Sequence, residues 1–184
     1  MASGLRLAAI DRNNNALLAS DGDHHEIHVG DSYRLSEAAT ISANASHSVS
    51  FKTPNTTKQV HLLLDAATEN SANITFYELS ECTSGNAITP RNANRSFADG
   101  NSGLVTPLEG ATIVTTNAVT LAAIIIGSAG SRPNSSGIGG AVSSRSEWVL
   151  KRNTWYSVVI LDVSTAEQRM WIGLDWYEHT PRSN

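Results

Sequence analysis

Two runs near the C-terminus decide the fold: Trp155-Tyr156-Ser157-Val158-Val159-Ile160-Leu161-Asp162-Val163 and Arg169-Met170-Trp171-Ile172-Gly173-Leu174-Asp175-Trp176-Tyr177. The first is dominated by β-branched and aromatic side chains, which fit a pleated surface and lose rotamer freedom in a helix. In the second, Met170, Ile172, Leu174 and Trp176 occupy alternate positions, opposite Arg169, Gly173 and Asp175. A period of two turns one set to a core and the other to solvent. Ser164-Thr165-Ala166-Glu167 between the runs reads as a turn. The pair is therefore expected to form an antiparallel hairpin in the middle of the fold.

The same signals recur upstream. Lys58 to Ala66 places Val60, Leu62 and Leu64 on one face, and Asn73 to Glu81 holds Ile74 and Phe76 in phase. Ser48 to Lys52 and Glu147 to Leu150 are shorter strands. Thr112 to Ile126 reads as two strands, or one with a bend near Asn117. His24 to Val29 is expected as a short strand ended by Gly30-Asp31. Amphipathic helical periodicity is absent. Roughly seven to nine strands at this spacing predict an all-β chain, an antiparallel β-sandwich or jelly-roll-like single domain. Residues 39–184 are assigned to the sandwich and residues 1–38 to an N-terminal arm and edge hairpin. Two polar stretches, Cys82 to Gly103 and Gly127 to Ser146, read as long loops. Loops beyond about 12–15 residues are usually functional or mobile.

Composition narrows the function classes. Charged residues make up 16% of the 184 positions, against about 25% in ordinary soluble domains, so Ser, Thr, Asn and Gly must supply the polar surface. A net charge of −4 with scattered Lys and Arg argues against nucleic acid as a direct partner, which needs clustered basic residues. The single cysteine, Cys82, excludes an intrachain disulfide and a thiol–metal framework. Residues 1–10 lack the pattern of a secretion signal. The longest apolar run, Leu121 to Ile126, is too short to cross a bilayer. No membrane partner is expected. Asn-x-Ser/Thr sequons at Asn44, Asn55, Asn73, Asn94 and Asn134 follow from the composition.

Candidate chemistry is sparse. On a strand, His24, Glu26 and His28 share a face and are weak candidates to hold a divalent ion, yet no fourth ligand is identifiable. His25-Glu26-Ile27-His28 is one residue short of the zinc-protease helix motif. Asp21-Gly22-Asp23 opens like a calcium loop without its later ligands. Asp175 and Glu178 lie beside Trp176 and Tyr177 without an acid/base pattern. Neither a nucleophile elbow nor a phosphate-cradling glycine loop is present. The expectation is a binding protein and not an enzyme, with no metal and no cofactor. Its candidate contact residues are Leu5, Leu7, Ile10, Leu17 and Leu18 in an arm without strand period, Arg91 and Arg95 in the first long loop, and Trp171. Trp171 falls out of phase with the core and beside Arg169, as interface tryptophans often do.

Several segments, in order, resemble a group of tailed-bacteriophage virion proteins. They are His25-Glu26-Ile27-His28-x-Gly30-x-x-Tyr33, Thr53-Pro54-Asn55-Thr56-Thr57-Lys58-x-Val60-His61, Tyr77-Glu78 and Asn92-x-Asn94-Arg95. Glu147-Trp148-Val149-Leu150-Lys151-x-Asn153-Thr154-x-Tyr156 and Asp175-Trp176-Tyr177-Glu178-His179-Thr180 complete the series. The resemblance implies a capsid decoration (cement) or minor head protein, assembled in the host cytoplasm. Such a protein acts as a homotrimer on the outside of the mature head, with the major capsid protein as partner. No catalytic residue is carried over. The alternative is a receptor- or glycan-binding module of a tail or head fibre, using Trp171 and Tyr177. It lacks the repeats or heptads of a fibre shaft.

Overall fold

The computed structural model describes residues 22–99, 102–126, 141–143 and 147–180. The contact candidates Leu5, Leu7, Ile10, Leu17 and Leu18, and most of the second long loop, lie outside the described residues. One helix, α1 (Gly22–Val29), precedes β1 (Ser32–Ile41), β2 (Ser46–Lys52), β3 (Gln59–Thr68) and β4 (Ala72–Glu78). Three two-residue strands follow, β5 (Cys82–Thr83), β6 (Asn86–Ala87) and β7 (Arg91–Asn92). Then come β8 (Val105–Glu109), β9 (Thr112–Ile113), β10 (Val119–Ile126), β11 (Ala141–Ser143), β12 (Trp148–Leu150), β13 (Trp155–Asp162) and β14 (Gln168–His179).

The strands form an antiparallel two-sheet sandwich. The first sheet runs β11-β3-β14-β1-β7, with β12 also on β3; the second runs β10-β4-β13-β2-β8-β6, and β5 pairs β9 apart from both. The alternation predicted for β3, β4 and β14 faces the space between the sheets. Val60, Leu62, Leu64, Ile172, Leu174 and Trp176 enter the core from one side, and Val49, Phe51, Ile74, Phe76, Val158 and Ile160 from the other. Burying each such side chain fully contributes about 1.5–3 kcal/mol. Phe76 meets Trp148 edge-on across the sheets with centroids 5.8 Å apart. Thr112 to Ile126 divides as expected into β9 and β10, around a turn in which the Ala118 N–H bonds the Thr115 carbonyl.

The C-terminal hairpin does not form. β13 lies between β4 and β2 in the second sheet, and β14 lies between β3 and β1 in the first. The turn between them carries the chain across the core as an arch. The β1–β2 and β3–β4 connections cross the sandwich in the same way. These arches are tied side by side. The Asp162 N–H bonds the Ala45 carbonyl, and the Val163 N–H bonds the Ser71 carbonyl. Gln168, fully buried, donates Nε2–H to the Ser71 carbonyl at 3.2 Å and accepts the Asn70 N–H at 2.8 Å. Two strands that each bury one face can satisfy those faces by opposing across a core as well as by pairing edge to edge.

Two more expectations change. His24 to Val29 belongs to a helix, not a strand. Its end is fixed by Gly30 at φ 83, with Gly30 N–H to the Ile27 carbonyl and Asp31 N–H to the Glu26 carbonyl. That is a Schellman stop, in which a left-handed glycine closes the last turn. The boundary at residue 38 falls inside β1, which pairs β14 over ten positions from Ser32 to Ile41, so Ser32 to Ala38 belong to the sandwich; residues 1–21 of the expected arm lie outside the described residues. The first long loop is also fastened down. The buried Glu178 carboxylate accepts the Gly103 N–H at 2.8 Å and the Ser102 hydroxyl at 2.9 Å. A Cβ at Gly103 would strike that carboxylate.

Candidate functional site

Strand register sets what each outer face displays. On the first sheet, Ser32, Tyr177, His61 and Val149 stand in one row, and Arg91, Arg34, Asp175 and Leu63 in another. This face is charged and aromatic, and its large groups contact one another, although His61 Nε2 and His179 Nδ1 are buried without a hydrogen-bond partner. His61 stacks on Tyr177 at 4.6 Å and lies 4.5 Å from His179. Glu147 accepts the Tyr177 hydroxyl at 2.7 Å and also contacts His61 Nδ1. Arg34 lies 3.7 Å from Asp175. Burial raises the Asp175 carboxyl above its usual range, with Arg34 pulling the other way.

Trp171, expected as an exposed contact residue, is half-buried on this face. Its indole N–H donates to Ser36 Oγ at 2.7 Å, and its six-membered ring covers Gly173, where a Cβ would collide with it. A glycine in a strand lacks side-chain packing of its own, and here the tryptophan supplies it. The sequence placed Trp171 on the correct face but could not show that Ser36 and Gly173 would receive it.

Arg91 and Arg95 converge on Asp99. Arg91 Nη1 donates to it at 2.8 Å, Arg95 contacts it from four residues away, and the Asn92 N–H adds a third donor at 3.0 Å. These donors, Arg95 first, hold the Asp99 carboxyl well below its usual range. Buried Asn92 then reaches Gly30, donating to its carbonyl at 2.7 Å, so this knot joins the first loop to the helix stop. Both guanidinium groups stay mostly exposed. They are both structural and available.

His24, Glu26 and His28 fall in α1 and not on a strand, so the shared strand face on which the ion site was considered is absent. At about 100° per residue a helix brings positions 24 and 28 to one side and turns 26 away.

The second sheet presents a different outer face, in two parts. Toward one end, Ser50 and Ser157 are fully buried with their hydroxyls 2.8 Å apart, and Ser80 donates to Ser157 at 2.8 Å. Ser48 donates to the Ala111 carbonyl at 2.9 Å. The β5–β9 ribbon is the cover over this serine cluster, and burial pushes the Cys82 thiol up. A groove of about 450 Å³ opens beside the ribbon between Lys52, Leu79, Val114 and Trp155. Toward the other end nothing among the described residues covers the sheet. Ile125, Asn73 and Leu161 stand in one row, with Ala123, Thr75 and Val159 in the next. Ile125 is 78% exposed and Leu161 39%, and none of the six carries a charge. β-Branched and aromatic composition marked the runs that hold Ile125 and Leu161 as strands without saying which residues would lack cover.

Comparison with family models, with curated proteins and with solved structures finds no match.

Proposed function

We propose that this chain is a bacteriophage capsid decoration (cement) protein, a jelly-roll-like sandwich that acts by binding and not by catalysis. It sits on the outer surface of the mature head as a homotrimer and bridges major capsid protein subunits. The observation that carries a protein-binding role is the uncharged strip Ile125–Asn73–Leu161 with Ala123, Thr75 and Val159. The cores of protein interfaces are depleted in charge and built on a few apolar anchors. This strip is assigned to the contact between copies, as one half of a head-to-tail interface that closes into a ring. The N-terminal segment, with Leu5, Leu7, Ile10, Leu17 and Leu18, and the Arg91/Arg95 corner are assigned to the shell. Three weak attachments per trimer then give a tenacious one through avidity. Selective binding to the expanded shell stabilises it by mass action. The resemblance of the ordered motifs to phage virion proteins supports the virion assignment. Adding the purified chain to expanded and to immature heads of the encoding phage tests it. Saturable binding to expanded heads alone is the expected result, and binding to neither rejects it.

A glycan-binding module is the second reading, favoured by one observation: Trp171 and Tyr177 lie on the same outer face of β14. Both rings are already engaged within the fold, Trp171 over Gly173 and Tyr177 on His61. Quenching or enhancement of tryptophan fluorescence by a glycan panel, lost in Trp171→Ala, would promote it.

A further inference from the structure

The inward positions of β1 read Tyr33, Leu35, Glu37, Ala39 and Ile41, one acid in an otherwise apolar series. Glu37 pairs with Ile172, a fully buried residue, so its side chain faces the other sheet. His47 on β2 pairs with the equally buried Ile160, and Glu109 on β8 pairs with Val49. A ring nitrogen of His47 and one carboxylate oxygen each from Glu37 and Glu109 lie within 4.8 Å of one another. Among the described residues this is the one such group of three.

The electrostatics of the cluster are incomplete. A carboxylate oxygen of Glu37 and one of Glu109 lie within 4.8 Å of each other, a proximity that two bare carboxylates resist unless a proton or a cation stands between them. Among the described residues neither acid is ion-paired with Lys or Arg. The polar neighbour that reaches Glu109 is the Asn86 amide, at 3.4 Å. His47 Nε2 is buried without a hydrogen-bond partner. An orphaned buried nitrogen beside two uncompensated carboxylates calls for a positive ligand.

We propose that Glu37, His47 and Glu109 form a divalent transition-metal site that clips the two sheets together. Zinc binds imidazole and carboxylate at about 2.0–2.2 Å in a tetrahedron, so its ligand atoms stand about 3.3–3.6 Å apart. Three ligand atoms within 4.8 Å of one another reach that spacing by a contraction of about an ångström, within the range of side-chain rotation. One nitrogen and two oxygens suit zinc or manganese better than calcium, which takes six to eight oxygens. Water completes the sphere. The site shares no residue with the sequence candidates His24, Glu26 and His28, and draws its ligands from three strands.

Calorimetry and thermal melts of the chelator-stripped full chain with zinc chloride, then manganese chloride, test the proposal. The expected result is one zinc per chain and a melting temperature raised by several degrees. Glu37→Gln and Glu109→Gln keep the size and hydrogen-bonding capacity of the side chains. Each should fold, as read by circular dichroism, and weaken zinc binding at least ~10-fold, the lower end of the loss caused by removing even an outer-shell partner. His47→Gln should do the same and stands in if either acid variant fails to fold. His61→Ala, in the other histidine cluster, should leave zinc binding unchanged. Wild-type chain that shows neither heat nor a melting shift overturns the site. So does zinc binding that survives Glu37→Gln combined with Glu109→Gln, or that is lost in His61→Ala.

Discussion

The two outer faces of the sandwich rest on one core yet are finished in opposite ways. On the first sheet every large polar or aromatic group described above has a partner on the same face: Tyr177 with His61 and Glu147, Trp171 with Ser36, Arg34 with Asp175. On the second sheet one end is sealed by a ribbon over a serine cluster, and the other is left bare among the described residues, with Ile125 and Leu161 outward. A face that satisfies itself is finished as surface. A flat face without charge or cover is left for something else to finish.

Substitutions can break or sharpen this contrast. The largest effect belongs to the core that both faces share. Leu174→Asp puts an unpaired charge at a position 1% exposed and should cost several kcal/mol, enough to prevent folding. Circular dichroism showing loss of the β spectrum would verify it. Next comes the sealed end of the second sheet. Ser157→Val leaves the Ser50 and Ser80 hydroxyls without their shared partner and adds bulk beneath the ribbon, for about 2–4 kcal/mol. An unchanged melting temperature would mean that the ribbon does not cover this end. On the first face, Gly173→Val should lift the Trp171 ring off the sheet at about 1–2 kcal/mol, less than the serine site because the ring moves into solvent. A red shift in tryptophan emission reports the displacement.

The Arg91–Asp99–Arg95 knot gives a pH-dependent signature. Asp99 titrates below its ordinary 3.8 in the folded chain. Its contribution is therefore present above that value and is lost as pH falls through the lower, folded one. Asp99→Asn should melt earlier than wild type at neutral pH, and the two curves should converge in strong acid. A gap that persists there would assign the effect to something other than the charge.

The sequence made the inward residues legible and the outward partners obscure. Alternation at Met170, Ile172, Leu174 and Trp176 correctly gave the buried face of β14, since a period of two is a local property. Pairing is not local. The four residues after Val163 serve a hairpin or an arch equally well, and Gln168, which bonds Ser71 and Asn70 in the neighbouring arch, is the residue that marks the arch. His24 to Val29 was expected as a short strand and is a helix, and the signal that mattered was Gly30 just beyond it. Of the contact residues, Arg95 and Asp99 at a spacing of four were a readable pair. Glu37 stands in phase with Tyr33, Leu35 and Ile41 in a strand that the assignment of residues 1–38 to an arm and edge hairpin passed over, and its meeting with His47 and Glu109 depends on the way the sheets stack.

The smallest expected effect on stability carries the most weight for function. Ile125→Asp with Leu161→Asp, both on exposed positions, should shift stability by no more than about 0.5 kcal/mol each. Sedimentation equilibrium at micromolar concentration, followed by binding to expanded phage heads, measures what this pair does to assembly. The expected result is a wild-type trimer that saturates the heads, and a folded double variant that is monomeric and binds them far more weakly. A wild-type monomer that ignores expanded heads, or a double variant that still trimerises and binds like wild type, would contradict it.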